Sequence, residues 1–378
     1  MRITAATAGE QATLDVTEPA VEPTGAGLIS ATKLAGATLT DKADRLAAGQ
    51  GLTLPPGIFS APDFGRPAEI YPAYCHFLAK PAKVLGSGRD VTTLQIDPVS
   101  FTQPLHAFDP VKYPLLETLP DNTSNNFYYL ARFDKASEVA GITFLGTDQQ
   151  VNPKTGRPYF FNGISLYGPQ ARHLHDCSIV GMPGGKSIPP DETFALQAYK
   201  VAGEFRLTDV LVDGLGKGSS AITWTTGDPN LDVVYDRVTV RGCPNGSGFT
   251  QFNQTCRSIT FTDVAVDGCT GGANFEQIRA ANGIKFVRPD IRNSRGSSGG
   301  PAYHLSIESN AYSNRVDIYD PVGITPANRW KVRISLTYGY SIFVPQGPQA
   351  QRGADIHLWV GGVERPDLIE WVRTKGAA

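Results

Sequence analysis

The sequence lacks the features that would place it in a membrane, on nucleic acid or in a disulfide framework. No apolar run approaches the ~18 residues that a membrane-spanning helix needs. The net charge of −2 offers no basic surface for nucleic acid. The five cysteines form no CxxC pair, which argues against a zinc site or a disulfide scaffold. The first residues lack the apolar core of a secretory signal, so we expect action inside a cell or release by another route.

Motifs for cofactors, metals and nucleophilic catalysis are also scarce. There is no G-x-S-x-G nucleophile elbow. The GSGRDVT segment (86–92) lacks the G-K-[ST] ending of a phosphate loop, and no cofactor is predicted. His173 and His175 are the nearest approach to a metal pair, but they would need a third ligand. We therefore predict no metal site and interpret the two histidines as a surface pair at the start of a strand.

Glycine and proline are abundant instead, with 40 and 28 residues, which favours turns and strands over helices. Short period-two segments recur and end in glycine, as in FRLTDVLVDG (205–214), LDVVYDRVTVRG (231–242) and RSITFTDVAVDG (257–268). One inward column, with intervals of 25 to 35 residues, is predicted to contain Phe144, Ile179, Val212, Val240, Val266, Ile291 and Ile318. The turn residues after its first five members are Gly146, Gly181, Gly214, Gly242 and Gly268. This spacing predicts stacked coils, and hence a parallel β-helix.

A second strand is predicted in each coil, in segments such as GFTQFN (248–253) and ANFEQI (273–278). We expect Ile222, Phe249, Phe275 and Tyr303 to form an inner stack along these strands. Cys243 and Cys269 follow the closing glycines of successive coils. They are therefore predicted to stack at about one strand spacing, as reduced thiols.

The segments LTLPPGIF (52–59) and VLGSGRDVTTLQI (84–96) resemble the first coil of the pectate-lyase-like, right-handed parallel β-helix superfamily. With the later coils, the resemblance extends over residues 30 to 320. It implies an all-β, right-handed solenoid with an N-terminal helical cap, for which residues 37–49 supply an amphipathic helix with Leu46 inward. Residues 1–30 are predicted to be an arm or linker and residues 31–320 the capped β-helix. Residues 321–378 are predicted to be a small β-rich closing region of antiparallel strands and a terminal helix.

The superfamily includes lyases, glycoside hydrolases, epimerases and phage tailspikes, so the resemblance alone does not assign an activity. The N-T-D, D-D, G-H-G and R-I-K motifs of its polygalacturonases do not occur in this sequence. The carboxylate cluster and arginine of its calcium-dependent pectate lyases have no match either. Both activities are therefore in doubt for this chain.

The predicted binding face follows the outward positions of the second strand. Its residues are Thr223, Thr250, Glu276, Arg279, His304 and Glu308. Glu276 and His304 each follow a residue that is predicted to point inward, so they should point outward on adjacent coils. We expect Glu276 to favour the protonated form of His304. Glu276, Glu308 and His304 are also the candidate catalytic residues, and a solvated sheet face with an ordinary ion pair is the alternative without function.

The class of protein that best fits these expectations is a bacteriophage tail protein of the tailspike kind. It would bind a cell-surface polysaccharide, assemble with other tail proteins as a homotrimer, and reside in the virion tail after synthesis in the host cytoplasm. A polysaccharide-degrading enzyme, either a lyase or a glycoside hydrolase acting as a tail depolymerase, is the second interpretation. A secreted, extracellular bacterial β-helix protein is the third.

Overall fold

The computed structural model describes residues 27–36, 39–60, 76–95, 128–146, 161–184, 194–217, 220–225, 228–244, 246–252, 255–276, 279–294, 302–308, 314–335 and 355–373. Nearly all regular structure in these residues is β-strand. The chain coils through three sheets, here called A, B and C, and its last two described coils pass from sheet A to sheet C without a strand in sheet B. One coil consists of Glu204–Thr208 in sheet A, Leu211–Lys217 in sheet B and Ser220–Thr225 in sheet C. The chain then returns to sheet A at Asp232–Asp236, parallel to the strand where the coil began.

The three sheets run through successive coils with parallel pairing. Sheet A contains Leu28–Ser30, Gly51–Thr53, Lys83–Leu85, Glu138–Ala140, Arg172–His175, Glu204–Thr208, Asp232–Asp236, Ser258–Thr262, Ile284–Val287, Val316–Tyr319 and Ile356–Val360. Sheet B contains Gly57–Ser60, Thr92–Gln95, Thr143–Leu145, Ser178–Gly184, Leu211–Lys217, Thr239–Arg241, Ala265–Asp267 and Asp290–Arg292. Sheet C contains His76–Leu78, Tyr128–Phe133, Phe161–Tyr167, Phe194–Tyr199, Ser220–Thr225, Ser247–Phe252, Gly271–Glu276, Tyr303–Glu308, Trp330–Ser335 and Ile369–Arg373. The expectation of an all-β parallel solenoid is confirmed at this level.

A single left-handed residue turns the chain from sheet A into sheet B in successive coils. Asp209, Arg237 and Asp263 occupy this position with φ angles of 54°, 51° and 51°. The backbone amide of each donates to a carbonyl of the next coil, as Arg237 N does to Thr262 O at 2.9 Å. Arg237 also binds Asp209 with two hydrogen bonds of 2.7 and 2.8 Å. Each repeat quoted above therefore contains two strands rather than one.

The glycines that close the repeats form a second left-handed column. Gly181, Gly214, Gly242 and Gly268 have φ angles of 64°, 78°, 62° and 67°, a region that side-chain-bearing residues seldom adopt. They stack closely, since a Cβ added to Gly268 would lie 3.6 Å from the backbone nitrogen of Gly242. Asn293 takes the same position in the following coil with φ 48°. The conformation of the turn, rather than side-chain packing, explains why glycine recurs there.

The predicted inward column of sheet B is correct over six coils. Phe144, Ile179, Val212, Val240, Val266 and Ile291 pair in register, and each is buried. Ile318 was expected to extend this column, but it pairs with Phe286 in sheet A instead. The 27-residue interval from Ile291 to Ile318 therefore joins two different sheets.

The predicted inner stack is correct for Ile222 opposite Phe249 and wrong beyond that pair, and the observed aromatic stack lies in sheet A. The Tyr235 and Phe261 rings stack with centroids 4.8 Å apart, and the Phe261 and Phe286 rings stack at 4.4 Å. Phe249 contacts this stack edge-on from sheet C, 5.1 Å from Phe261. In sheet C itself, Phe249 is in register with Ala273, not with Phe275. The core is therefore an aromatic column shared between two sheets.

Sheet C carries an interruption at the same place in successive coils. The pairing runs from Ser247 opposite Gly271 directly to Phe249 opposite Ala273, and it skips the residue between them. A Cβ added to the skipped Gly272 would lie 2.6 Å from Ile291 Cδ1, so this position faces the core. Because the next residue also faces the core, the inward and outward positions exchange at this point. Gly163, Ala195, Ala221, Gly248, Gly272 and His304 occupy the skipped position.

At the N-terminal end, the segment expected to be helical contains the helix Leu39–Asp44, which packs against His76–Leu78. Leu46 is buried in the core cluster as predicted. The 3-10 turn Ala31–Lys33 precedes the helix, with Ser30 as its cap. Leu28–Ser30 is already a strand of sheet A, and residues 1–26 of the predicted arm lie outside the described residues.

At the C-terminal end, the prediction of a terminal helix is wrong. The 3-10 turn Pro366–Leu368 leads into the strand Ile369–Arg373, which is parallel to Trp330–Ser335. The strand places Ile369 and Trp371 against the core. Antiparallel pairing was expected here, and among the described residues of this region it is limited to Ile356–Val360 with Val363–Glu364 and to an isolated bridge between Thr325 and Asn328. A further two-stranded pair, Thr255–Cys256 with Arg279–Ala280, lies between sheets C and A in the sequence.

Candidate functional site

The outward positions of sheet C form a polar column, but its members differ from those predicted. Thr223 is in register with Thr250, as expected. The column continues through Asn274 and Ser306 to Arg333, rather than through Glu276 and His304. In the opposite direction it continues through Gln197 and Ser165 to Arg132. Adjacent members are about 4.8 Å apart, because they lie on neighbouring parallel strands.

The register separates the other predicted residues from this column. Glu276 lies directly opposite Glu308 on the neighbouring strand, so the two acids share one register position outside this column. Arg279 lies in the short strand that pairs with Thr255–Cys256, outside sheet C. The side chains of Glu276, Arg279 and Glu308 are outside the described part of the structure.

His304 does not face solvent, and the expected ion pair with Glu276 is wrong. The imidazole occupies the interrupted position of its strand, is 8% exposed, and stacks on the Trp330 ring at 4.8 Å. Its Nδ1 accepts a hydrogen bond of 2.7 Å from the Lys331 amide. Burial, with a smaller contribution from the Lys331 charge, lowers the pKa of His304 to about 4. The ring is therefore neutral at physiological pH.

Much of the polar column is buried although it points away from the core. Asn274 lies between Ala273 and Phe275, which are both core residues. Because side chains alternate along a strand, Asn274 and its column face away from the core. Thr223 and Thr250 are 0% and 2% exposed, and within the described residues their hydroxyls have no hydrogen-bond partner. A buried polar group without a partner costs about 1–3 kcal/mol. Two such groups lie on neighbouring coils of this column, at positions closed to solvent.

At the C-terminal end of the column, the polar side chains are hydrogen-bonded to one another. Arg333 Nε donates to Ser306 Oγ at 3.0 Å, and its guanidinium lies 4.0 Å from the centroid of the Tyr303 ring. The Tyr303 and Ser247 hydroxyls are 2.7 Å apart. Tyr303 was expected to point inward, but these contacts place it on the outer side. This end of sheet C is a closed polar network.

The other end of the face carries a more accessible aromatic cluster, here called the tyrosine patch: Arg132, Tyr167, Tyr199 and Lys200. The Tyr167 and Tyr199 rings stack at 5.5 Å with an interplanar angle of 20°. The Arg132 guanidinium lies 4.5 Å from the Tyr167 centroid, and Lys200 Nζ lies 5.7 and 5.5 Å from the two rings. Both tyrosines are half-buried, while Lys200 is exposed. The patch combines apolar ring edges with cationic hydrogen-bond donors.

A buried arginine fixes the backbone that presents Tyr167. Arg172 occupies an inward position of sheet A. The same position is apolar in the following coils, where Phe205 pairs with Arg172 and Val233 pairs with Phe205. Its guanidinium donates to the carbonyl of Tyr167 and, at 2.6 Å, to that of Asp134. Burial lowers the pKa of Arg172 to about 10, so the group stays charged at neutral pH. The charge is satisfied by turn carbonyls rather than by a carboxylate.

The two histidines of the HLH segment lie on sheet A, with ring centroids 4.5 Å apart. His175 lies between two carboxylates, 3.1 Å from Glu138 Oε1 and 2.7 Å from Asp176 Oδ2. Burial alone would lower the pKa of His175, but these hydrogen bonds outweigh it and raise the pKa. Burial and the neighbouring His175 and Arg206 charges lower the pKa of His173. In the described part of the chain, no group of three or more His, Cys, Asp or Glu residues could hold a metal ion.

The buried neutral state of His304 predicts acid destabilisation. Its pKa of about 4 in the folded protein lies below the ordinary value of 6.5, so unfolding takes up a proton between these values. The contribution of His304 to the unfolding free energy is fully present above pH 6.5 and is lost as pH falls towards 4. We expect His304 to account for about 2 kcal/mol of lost unfolding free energy between about pH 7.5 and pH 5. Urea unfolding of the native protein and His304→Gln at both pH values measures this difference.

His357 provides a control in the same experiment, because its contribution to the unfolding free energy should change with pH in the opposite direction. Hydrogen bonds to Glu364 and Asp355 raise the pKa of His357, so its contribution is present at low pH and is lost as pH rises. The His357→Gln variant should therefore become relatively less stable at pH 5 than at pH 7.5. An unchanged pH dependence in His304→Gln would show that the imidazole is protonated or exposed in the folded protein.

Comparison with known proteins gives no match to a family model, to a curated protein or to a solved structure. Within the described ranges, none of the helices has the length and apolar character that crossing a membrane requires. The tyrosine patch was missed in the sequence, although both GISLYG (163–168) and FALQAY (194–199) carry tyrosine at the same register position. The recurrence of tyrosine at the same position of two successive strands is the sequence signal that would have identified the tyrosine patch.

Proposed function

We propose that this protein is a bacteriophage tail-associated β-helix protein that binds an extended cell-surface glycan along the outer face of sheet C. The observation that carries the proposal is the tyrosine patch, which lies at the accessible end of an in-register polar column that crosses eight strands of sheet C from Arg132 to Arg333. The column from Thr223 to Arg333 is buried, so the surface that can meet a polymer is the accessible end with Tyr167, Tyr199 and Lys200. This face differs from the outer face of sheet A, where charged side chains mostly pair with each other.

The glycan would enter at the tyrosine patch, because this end of the face is the more accessible. The stacked rings of Tyr167 and Tyr199 supply apolar contact to sugar C–H groups at low conformational cost. Lys200 supplies hydrogen bonds to hydroxyls or to carboxylates, while Arg132, which is bound to Asp134, supports the Tyr167 ring.

The proposal includes details of architecture and assembly that rest on the superfamily resemblance. The coils are right-handed, which is also the hand of nearly all crossover connections between parallel strands. The helix Leu39–Asp44 covers the first coil as a cap. Three copies lie side by side as a homotrimer in the virion tail, in contact with other tail proteins. In the alternative of a secreted protein, the same face binds a polysaccharide outside a bacterial cell.

A second candidate function is glycoside hydrolysis, and the pairing of Glu276 with Glu308 favours it. Neighbouring strands place their backbones about 4.8 Å apart. This is compatible with the carboxyl separation of about 5–10 Å that glycosidases use. Release of reducing ends from a bound polysaccharide, abolished in both Glu276→Gln and Glu308→Gln, would identify an enzyme. A glycan-binding protein would retain the polysaccharide intact.

Alanine at both tyrosines tests the binding proposal. We expect Tyr167→Ala/Tyr199→Ala to weaken binding on an array of bacterial surface polysaccharides by at least about tenfold, equivalent to about 1.4 kcal/mol. The melting temperature should change little, because both rings are half-buried at the surface. Binding to the array and thermal unfolding are measured on the same preparations.

The matched control is Tyr319→Ala on sheet A. Tyr319 also stacks on an aromatic ring, that of Trp359 at 6.1 Å, and Lys285 Nζ lies 5.0 Å from its centroid. The control should retain binding, since it removes the same chemistry from a different face. Equal loss in both variants, or no loss in the tyrosine-patch variant, would contradict glycan binding on sheet C.

A further inference from the structure

Cys243 and Cys269 occupy equivalent positions on neighbouring coils. Each follows a left-handed glycine, Gly242 or Gly268, and these glycines are closely stacked. The preceding sheet B strands are in register, with Val240 opposite Val266. The two cysteines are therefore held about one strand spacing apart, within the ~4.4–6.8 Å range of Cα separations that a disulfide allows.

The two thiols are free, buried and in direct contact. The hydrogen bond between them raises the pKa of Cys243 and lowers that of Cys269, and the Cys269 thiol also lies 3.7 Å from the Asp267 carbonyl oxygen. Cys177 and Cys256, the other free cysteines in the described part of the chain, have pKa values raised by burial. The sulfur of Cys177 lies against the carbonyl oxygens of His175 and Val139. Among the free cysteines of the described residues, Cys243 and Cys269 are therefore the pair in which a neighbouring thiol lowers the pKa of one member, Cys269.

We propose that Cys243 and Cys269 form a dithiol site that small-molecule disulfides oxidise to a cross-link between adjacent coils. The Cys269 thiolate attacks one sulfur of the reagent, forms a mixed disulfide and expels one reagent thiolate. Cys243 then loses its proton and attacks the Cys269 sulfur, which forms the protein disulfide and expels the second reagent thiolate. The two protons from the cysteines convert both leaving groups to thiols, so the reagent is reduced and the protein oxidised by two electrons.

The cross-link would close one complete turn of the solenoid. Cys243 and Cys269 are separated by one coil, which includes a sheet C strand and a sheet A strand, Ser247–Phe252 and Ser258–Thr262. Closing a loop restricts the unfolded chain more than the folded one, in which the ends already touch. Oxidation should therefore raise the melting temperature, and reduction should restore the original value. The inference does not depend on glycan binding.

The test treats the folded protein with 2-hydroxyethyl disulfide and follows the intact mass. We expect a loss of two hydrogen atoms and, after proteolysis without reductant, a linked pair of peptides containing Cys243 and Cys269. The melting temperature of this product should exceed that of the reduced protein. A folded protein that forms no such link, or links other cysteines as readily, would overturn the proposal.

Single substitutions distinguish the roles of the two sulfurs. Cys243→Ser should stop the reaction at a stable mixed disulfide on Cys269, because the second attack has no nucleophile. Cys269→Ser should react at least about tenfold more slowly, since burial still raises the pKa of the remaining Cys243 thiol. Cys256→Ser, which removes a buried thiol outside the pair, should form the same cross-link as the native protein. Equal reaction at Cys243 and Cys269 in the two single variants would contradict the order of attack.

Discussion

Substitution of Val240 by aspartate is expected to prevent soluble expression of the protein. Val240 is fully buried, in register between Val212 and Val266 in the inner column of sheet B. The carboxylate would have no cation to pair with in this apolar column. Burying an unpaired charge costs several kcal/mol or more, a large part of the whole stability of a typical domain. Soluble yield at a fixed expression level measures the effect.

The control for this variant is Thr239→Asp on the same strand. Thr239 points to the opposite side of sheet B and is only partly buried. Its carboxylate can therefore stay hydrated, and the variant should be soluble with a change in unfolding free energy of less than about 1 kcal/mol. A soluble Val240→Asp protein with an unchanged melting temperature would refute the register of sheet B.

Truncation of Phe261 to alanine is expected to lower the unfolding free energy by about 3 to 5 kcal/mol. Phe261 lies in the centre of the aromatic column, stacked on Tyr235 and Phe286 and in edge contact with Phe249 and Phe275. The strands above and below are hydrogen-bonded to its own strand, so they cannot collapse fully into the cavity. Urea unfolding at neutral pH measures the loss.

Thr260→Ala provides the comparison on the neighbouring residue. Thr260 faces outward on sheet A and is only partly buried, so its truncation should cost less than about 1 kcal/mol. A loss in Phe261→Ala no larger than that in Thr260→Ala would show that the aromatic column does not form the core. This comparison holds the strand and its backbone hydrogen bonds constant.

Sheet B could be predicted from the sequence because its geometry repeats with little variation. Between the left-handed column that contains Asp209 and the glycine column that contains Gly214, sheet B has room for only one inward strand residue, since the buried Val210 precedes the strand. Val212 is that residue, and its counterparts follow by simple alignment. The turn conformation fixes the register locally, so no information from distant parts of the chain is required.

Sheet C could not be aligned in the same way, because its distance from the glycine column varies. The strand Ser247–Phe252 begins five residues after Gly242, whereas Gly271–Glu276 begins three residues after Gly268. A constant repeat therefore aligned Phe249 with Phe275 instead of Ala273. Connection lengths of this kind are set by tertiary packing and leave no periodic signal.

The side that each residue of sheet C faces was a separate difficulty. Counting alternate positions assumes an unbroken strand, but the interruption at Gly272 and His304 places two successive residues on the core side. This reverses the alternation and explains why His304 is buried while Tyr303 lies outside. The predicted site therefore retains Thr223 and Thr250 as neighbours, and it loses the pairing of Glu276 with His304.

Hydroxyl-radical footprinting with a polysaccharide retained on the array tests the glycan-binding face most directly. Tyrosine and tryptophan side chains react readily with the radical, and the chain offers an aromatic pair on each of two faces. The account predicts that the polysaccharide protects Tyr167 and Tyr199 on sheet C and leaves Tyr319 and Trp359 on sheet A as reactive as in the free protein. Protection of Tyr319 and Trp359 without protection of Tyr167 and Tyr199 would contradict it.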